Sequence, residues 1–332
     1  MKKKPVFILS MGDPAGIGPE ITIKALSGIR SPYYNVVVAG DLDILRREAL
    51  RLRGKSAKLF SISDPDEAQV GVINVIDLKE ANPGSFELGK TQPQCGAAAF
   101  GYIITAIDLV VAKNAAGVIT NPISKESLRL AGINYPGHTE IFAQRTKTRE
   151  YSMIFLLKNV AVAHVTTHCS LRDALNLVEE KGIIRTIRLL YRILQELGFT
   201  KPNIAVGGLN PHAGENGLFG FEETEIIGPA VQKAARSGIP VTGPYPADTV
   251  FMRAFRGEFN GVVSMLHDHG FVALKSRDFF HGVNITTGLP IIRTSPGHGT
   301  AFDIAGKGLA CEKSLLSAID AAWRIYKNRK EL

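Results

Sequence analysis

The chain has 332 residues, 45% hydrophobic and 21% charged, the balance of an ordinary globular protein with an excess of basic residues. That length suits two domains, or one α/β unit with two lobes, better than a single core. After the basic start Met1-Lys2-Lys3-Lys4 only Val6–Leu9 run apolar, too short for a signal-peptide core and far short of the roughly 20 residues that span a bilayer, so a soluble, cytoplasmic protein is expected.

In chain order, Val6–Ser10, Val36–Ala39, Val72–Ile76 and Gly117–Thr120 read as buried strands bounded by Gly, Asp or Pro. Between them Glu20–Leu26, Leu42–Leu50 and Ala97–Val111 carry apolar residues at helical spacing. The rhythm repeats with strands at Met153–Leu157, Ala161–Val165, Ile204–Gly208 and Val262–Leu266 and helices at Ile183–Leu197 and Glu223–Ala235. Such alternation predicts an α/β protein with a largely parallel sheet covered on both faces, whose ligands bind in loops at the carboxyl ends of the strands. Ala81–Gly84, Thr91–Gln94 and Pro240–Pro246 read as local loops.

Cys95, Cys169 and Cys311 are far apart and form no C-x-x-C pair, which argues against a disulfide framework or a thiolate zinc knuckle and for free, mostly buried thiols. The basic excess forms no block interleaved with aromatics. Lys2–Lys4 and Lys327–Lys330 read as solvated ends, and the positive field suits a small anionic substrate better than nucleic acid.

Met11-Gly12-Asp13-Pro14-Ala15-Gly16-Ile17-Gly18-Pro19-Glu20 follows a strand and opens a helix, but it matches neither a Walker loop nor G-x-G-x-x-G, and a structural turn explains it as well as a ligand loop. The histidines say more. His168, His212 and His267 each follow an apolar strand, within polar loops that include Asn210-Pro211-His212-Ala213-Gly214-Glu215 and His267-Asp268-His269-Gly270. Three imidazoles at one sheet edge form an open metal site, with positions left for substrate oxygens. Asp248 and Asp268 are candidates to orient ligands or take a proton. Each histidine also has the plainer reading of a loop residue bonded to nearby backbone; His164 and His281 stay with that reading, and His269 competes with His267.

Lys275, Asn284 and Arg293, nine residues apart, combine a point charge, an amide donor and a bidentate fork in a candidate phosphate clamp, or are simply a solvated Lys and Arg. His138 and Thr139 lie at a turn into a helix, where they can hydrogen-bond a substrate carboxylate or hydroxyl, or Thr139 can be an N-cap. Gly297–Gly308, containing Gly299, Thr300 and Asp303, is a small-residue loop along which a phosphorylated ligand can lie.

The segment His298-Gly299-Thr300 with Asp303-Ile304-Ala305-Gly306-Lys307-Gly308 is similar to the cofactor loop of the isocitrate and isopropylmalate dehydrogenases. Together, Gly12–Glu20, Gly137-His138-Thr139-Glu140, Asn210–Glu215 and Gly282–Thr286 resemble the 4-hydroxythreonine-4-phosphate dehydrogenase family of vitamin B6 biosynthesis, in family order over nearly the whole chain. The resemblance implies a two-lobed α/β/α fold, with lobes of 1–130 plus 280–332 and of 131–279. It also implies a homodimer with shared active sites in the interlobe cleft, a nicotinamide cofactor (NAD or NADP), and one divalent cation (zinc, magnesium, manganese or cobalt). On this reading His168, His212 and His267 ligate the metal, some of them from the opposite chain. His138, Thr139, Lys275, Asn284 and Arg293 hold the substrate, Gly299, Thr300 and Asp303 the cofactor, and His138, Asp248 or Asp268 handles protons. The implied reaction is oxidation of the hydroxyl of 4-phosphooxy-L-threonine followed by decarboxylation to 3-amino-2-oxopropyl phosphate. Alternatives are 4-phospho-D-threonate or 4-phospho-D-erythronate giving dihydroxyacetone phosphate, aromatic dihydrodiol acids, a metal hydrolase, or the acyl-phosphate transfer of more distant relatives. Here Leu266-His267-Asp268-His269-Gly270 stands where the family usually has Tyr-His-Asp-Gln-Gly.

Overall fold

A computed structural model describes residues 4–52 and 57–329; of the terminal lysines, Lys2, Lys3 and Lys330 lie outside them. The chain runs β1 (Val6–Ser10), α1 (Gly18–Leu26), β2 (Asn35–Gly40), α2 (Leu42–Arg51), β3 (Leu59–Ile62), β4 (Ile73–Asp77), α3 (Pro93–Val111) and β5 (Gly117–Thr120). It continues through α4 (Lys125–Leu130), α5 (His138–Arg145), β6 (Ser152–Leu157), β7 (Val160–His164), α6 (Leu171–Leu177), α7 (Glu180–Glu196), β8 (Ile204–Gly207) and α8 (Gly228–Arg236). The last elements are β9 (Val241–Tyr245), α9 (Ala247–Phe255), β10 (Gly261–Ser264), α10 (His267–Arg277), β11 (Val283–Thr287), β12 (Arg293–Pro296) and α11 (Lys313–Arg329).

Two compact units result. The first comprises the chain up to Arg149 together with Leu289–Tyr326; the second is Glu150–Gly288 with the residues after Tyr326. In the first, the strand order β3-β4-β2-β1-β5-β12 is parallel throughout. All five residues of β1 are buried, as expected for a strand covered on both faces. Helix α3 is long and apolar enough by length and composition to cross a membrane. It is instead the core helix of this unit: Ile103, Ala106, Ile107 and Val110 pack with Ile8, Val37, Val118 and Phe142. Its approach to α4 is so close that a Cβ on Gly96 would lie 2.1 Å from the Ser127 carbonyl oxygen.

In the second unit the order is β11-β6-β7-β10-β8-β9. Strand β6 runs antiparallel to both neighbours, joined to β7 through Lys158 and Asn159, with Lys158 at φ 55°. Strands β7, β10, β8 and β9 are parallel. Phe155, Val162, Val250, Phe251, Val262, Phe271 and Leu274 form this unit's core. Its largest helix, α7, buries Ile183, Ile187, Leu190, Ile193 and Leu194 on one stripe.

Two expectations fail here. Pro240–Pro246 is not all loop, because Val241–Tyr245 forms β9, with Pro244 tolerated where no further strand needs its missing N–H. Glu223–Ala235 is not one regular helix. Pro229 cannot donate to Glu225, and Glu223–Ile227 forms a π-turn, in which the Gly228 N–H bonds the Glu223 carbonyl, before α8 begins. The thiols also differ from expectation: Cys95 is buried, Cys311 half-buried and Cys169 exposed.

Candidate active site

The parallel registers of β7, β10 and β8 bring their carboxyl ends to one edge of the second unit, and a histidine follows each. Helix α10 opens on His267 directly after β10. The His267 Nδ1 lies 2.7 Å from the Asp268 Oδ1. A carboxylate can only accept, so Nδ1 carries a proton and Nε2 is the ring atom left to meet another partner. His168, four residues past β7, is exposed, with its ring centroid 6.0 Å from that of His267. A cavity of about 190 Å³ lies between them, bordered by Thr166, Cys169, Leu171 and Leu266.

Beneath His267 the rings are stacked. Phe271 sits 4.4 Å from His267, and His164 lies nearly parallel on Phe271, 3° off and 4.7 Å away. Burial pushes the His164 imidazole down to about 3, so it is a neutral packing ring at the end of β7, not the backbone-bonded loop residue of its plainer reading. His281 pairs with Asp278 at 2.9 Å. His269 is half-buried on α10, and its pKa is lowered by burial.

His212 is exposed in a turn of unusual backbone. His212, Ala213, Gly214, Glu215 and Asn216 all have φ between 45° and 80°, a left-handed run that includes four residues with a Cβ. Each costs roughly 1–2 kcal/mol relative to ordinary backbone, so something must hold the run in place. Glu223 does this. Its buried carboxylate accepts from the Leu209 N–H at 2.7 Å, the Asn210 N–H at 2.8 Å and the Asn210 amide at 3.0 Å. Burial opposes its charge, but the bonds from Asn210 and Leu209 outweigh burial and hold the carboxyl below its usual range. Among the described residues no three His, Cys, Asp or Glu side chains converge to hold a metal, so one chain pairs His168 with His267 and does not add His212. Asp248 is exposed in the first turn of α9, and Asp268 is 88% exposed.

Also on the second unit are Lys275, exposed on α10 with its Nζ 5.2 Å from the Phe271 ring, and Asn284, half-buried on β11 opposite Phe155. Arg293 belongs to the first unit, at the start of β12. It is buried, donates from Nη2 to the Thr120 Oγ1 at 2.9 Å, and lies 5.8 Å over the Phe142 ring. Burial lowers its pKa to about 10, with Glu140 acting in the other direction, so the guanidinium stays charged near neutral pH. His138 is the first residue of α5, and Thr139 the second; Gly137 holds the N-cap position, which corrects the reading of Thr139 as a cap. Burial and the Arg293 charge push His138 well below its ordinary value, leaving a neutral ring whose enclosed Nε2 has no hydrogen-bond partner among the described residues.

The loop from Gly297 is also in the first unit. Gly299 and Asp303 are exposed and Thr300 is half-exposed, and nothing lies within 4 Å of the place a Gly299 Cβ would take. The His298 Nε2 is enclosed and without a partner among the described residues. Sequence reasoning missed Glu223, Thr120 and the His164–Phe271 stack. Their roles depend on partners distant in the chain, and no local pattern marks them.

An α/β fold that carries imidazoles after its strands, and carboxylates and cationic side chains on the helices and strands beside them, is the kind that enzymes use. Its family follows from comparison: residues 33–322 match the model of pyridoxal phosphate biosynthetic protein PdxA, and the chain belongs to that family of oxidoreductases. It is 44% identical to D-threonate 4-phosphate dehydrogenase of Salmonella typhimurium, over 98% of this chain and 100% of that one. It is also 44% identical to 4-hydroxythreonine-4-phosphate dehydrogenase of Beijerinckia indica, over 96% and 94%. The crystal structure of 4-hydroxythreonine-4-phosphate dehydrogenase from Klebsiella pneumoniae superposes with a TM-score of 0.86 at 45% identity, over 97% of this chain and all of that one.

Proposed function

We propose that this chain catalyses the metal-dependent oxidation by NAD or NADP of the C3 hydroxyl of 4-phosphooxy-L-threonine. The resulting β-keto acid loses CO2 to give 3-amino-2-oxopropyl phosphate. A second substrate, D-threonate 4-phosphate, differs only in a hydroxyl at C2 and gives dihydroxyacetone phosphate; it is favoured by the name of the Salmonella relative. The observation that carries the reading is His267, its Nε2 freed by Asp268, beside His168 at the carboxyl edge.

The donor set fits a borderline divalent cation such as zinc, with manganese, cobalt or magnesium as substitutes, held by His168 and His267 and by His212 of a second copy in a cytoplasmic homodimer. A cation held there would supply Lewis-acid activation of the alcohol, and Gly299, Thr300 and Asp303 would hold NAD(P), whose nicotinamide would supply the hydride acceptor. Asp268 fixes the tautomer of His267. Neutral His138, with Thr139, would bind the substrate's carboxylate end, and the substrate hydroxyl would donate its proton to the His138 Nε2 or the Asp248 carboxylate. Buried, charged Arg293 binds phosphate with Lys275 and Asn284.

The test is a coupled spectroscopic and product assay. Chelated protein is supplied with each phosphorylated acid and NAD or NADP, before and after zinc, manganese or magnesium is restored. NADH or NADPH forming only with metal, together with one of the two ketone phosphates, is the expected result. Turnover that ignores the metal, or none with either acid, would refute the proposal.

A further inference from the structure

The segment Gly12–Glu20 has no part in the chemistry above, yet it faces the loop read as the cofactor's seat. That loop has little to hold itself. Its own backbone bonds are local, Ala301 sits at φ 44°, Gly306 and Gly308 have φ above 70°, and Leu309 is exposed. Its shape must be imposed from outside.

The constraints come from α1 and its approach. The Ile17 N–H donates to the Thr300 carbonyl at 3.0 Å, and a Cβ on Gly16 would stand 3.0 Å from that same oxygen. Further along, the Lys24 Nζ donates to the carbonyls of Gly308 at 2.8 Å and Ala310 at 2.7 Å. Glu20 accepts from the Ala310 N–H at 2.8 Å and the Gly308 N–H at 3.3 Å, and it receives the Lys24 ammonium at 2.7 Å. Glu20 is 1% exposed. A buried ion pair gives little net stability by itself, because desolvation offsets the attraction. This pair instead satisfies four main-chain groups of one loop.

We infer that Glu20 and Lys24 are positioning residues for the nicotinamide cofactor. They clamp residues 308–310 and thereby fix how Gly299, Thr300 and Asp303 are presented. The inference rests on the cofactor reading of that loop. They act through the loop backbone.

The experiment compares Lys24→Met, Glu20→Gln and Lys24→Arg with Asp303→Ala in metal-loaded protein, reading the Kd for NADH by fluorescence and amide exchange over 297–310. Loss of the charged donor in Lys24→Met is expected to raise the NADH Kd roughly tenfold, the worth of one charged hydrogen bond. It should also speed exchange at Gly308 and Ala310, and raise the KM for NAD while the KM for the phosphorylated acid holds; Lys24→Arg should restore all three. Should Lys24→Met not fold, Glu20→Gln answers the same question. An unchanged NADH Kd in the clamp variants, with Asp303→Ala weakened, overturns the clamp alone. An unchanged Kd in Asp303→Ala as well means the cofactor reading has failed, and the inference falls with it.

Discussion

Asp13, three residues past β1, has no exposed surface. Its Oδ1 accepts from the Ala15 N–H at 2.9 Å. Burial pushes its pKa from 3.8 up to about 6, against smaller opposing effects from Ala15, Ser127 and Ser124. Because the folded value lies above the unfolded one, the stabilisation is complete below pH 3.8 and is lost as pH rises through about 6. Asp13→Asn keeps the acceptor for Ala15 and cannot ionise. It should therefore gain on the parent by up to about 3 kcal/mol between pH 4 and pH 8, measured by urea unfolding at both. An equal difference at the two pH values would contradict this. A second side chain is useful because it is so exposed: Asp268→Ala should leave the melting temperature alone while weakening zinc binding roughly 10- to 100-fold, as loss of a ligand-orienting carboxylate does. Unaltered zinc affinity in a competition titration would remove Asp268 from the site.

At the scale of elements, the left-handed run 212–216 and the π-turn 223–227 form one device, because Glu223 in the second anchors the approach to the first. Glu223→Gln turns one acceptor oxygen into a donor facing donors. The expected cost is about 1–3 kcal/mol in calorimetry, with weaker zinc binding through a loosened His212. A variant as stable as the parent would show that the run needs no such anchor. Neither half of this device is legible in the sequence, since Ala213, Glu215 and Asn216 do not announce positive φ and the Glu223 bond spans more than a dozen residues. By contrast β1 and β5 are legible to the residue, because a strand covered on both faces must be a continuous apolar run bounded by turn formers. Strand β9 hid behind Pro240, Pro244 and Pro246, whose chemistry marks an edge strand and a loop alike. His168 and His267 could be singled out because each lies within four residues of a strand's end; which nitrogen of His267 faces Asp268 needed the three-dimensional structure.

For the molecule as a whole, the candidate residues are divided. His138, Thr139, Arg293, Gly299, Thr300 and Asp303 belong to the first unit, and His168, His212, Asp248, His267, Asp268, Lys275 and Asn284 to the second. His212 is not gathered with His168 and His267 in one chain, so its proposed service to a second copy makes a quantitative prediction. His168→Ala and His212→Ala should each be inactive. When the two are denatured together and refolded, mixed dimers contain one intact site, and activity should return to about one quarter of the parent value. No recovery, with mixed dimers confirmed by mass spectrometry, would place His212 outside the shared site.

The parallel stack of His164 on Phe271 also gives the protein a built-in spectroscopic probe. Ring current from the phenyl group should displace the His164 carbon-bound protons upfield, and burial, which lowers this imidazole to about 3, should keep their shifts flat near neutral pH. His267 touches the same phenyl group, so binding of the proposed cation at His267 should be visible at His164 by magnetic resonance, with no label and no substrate.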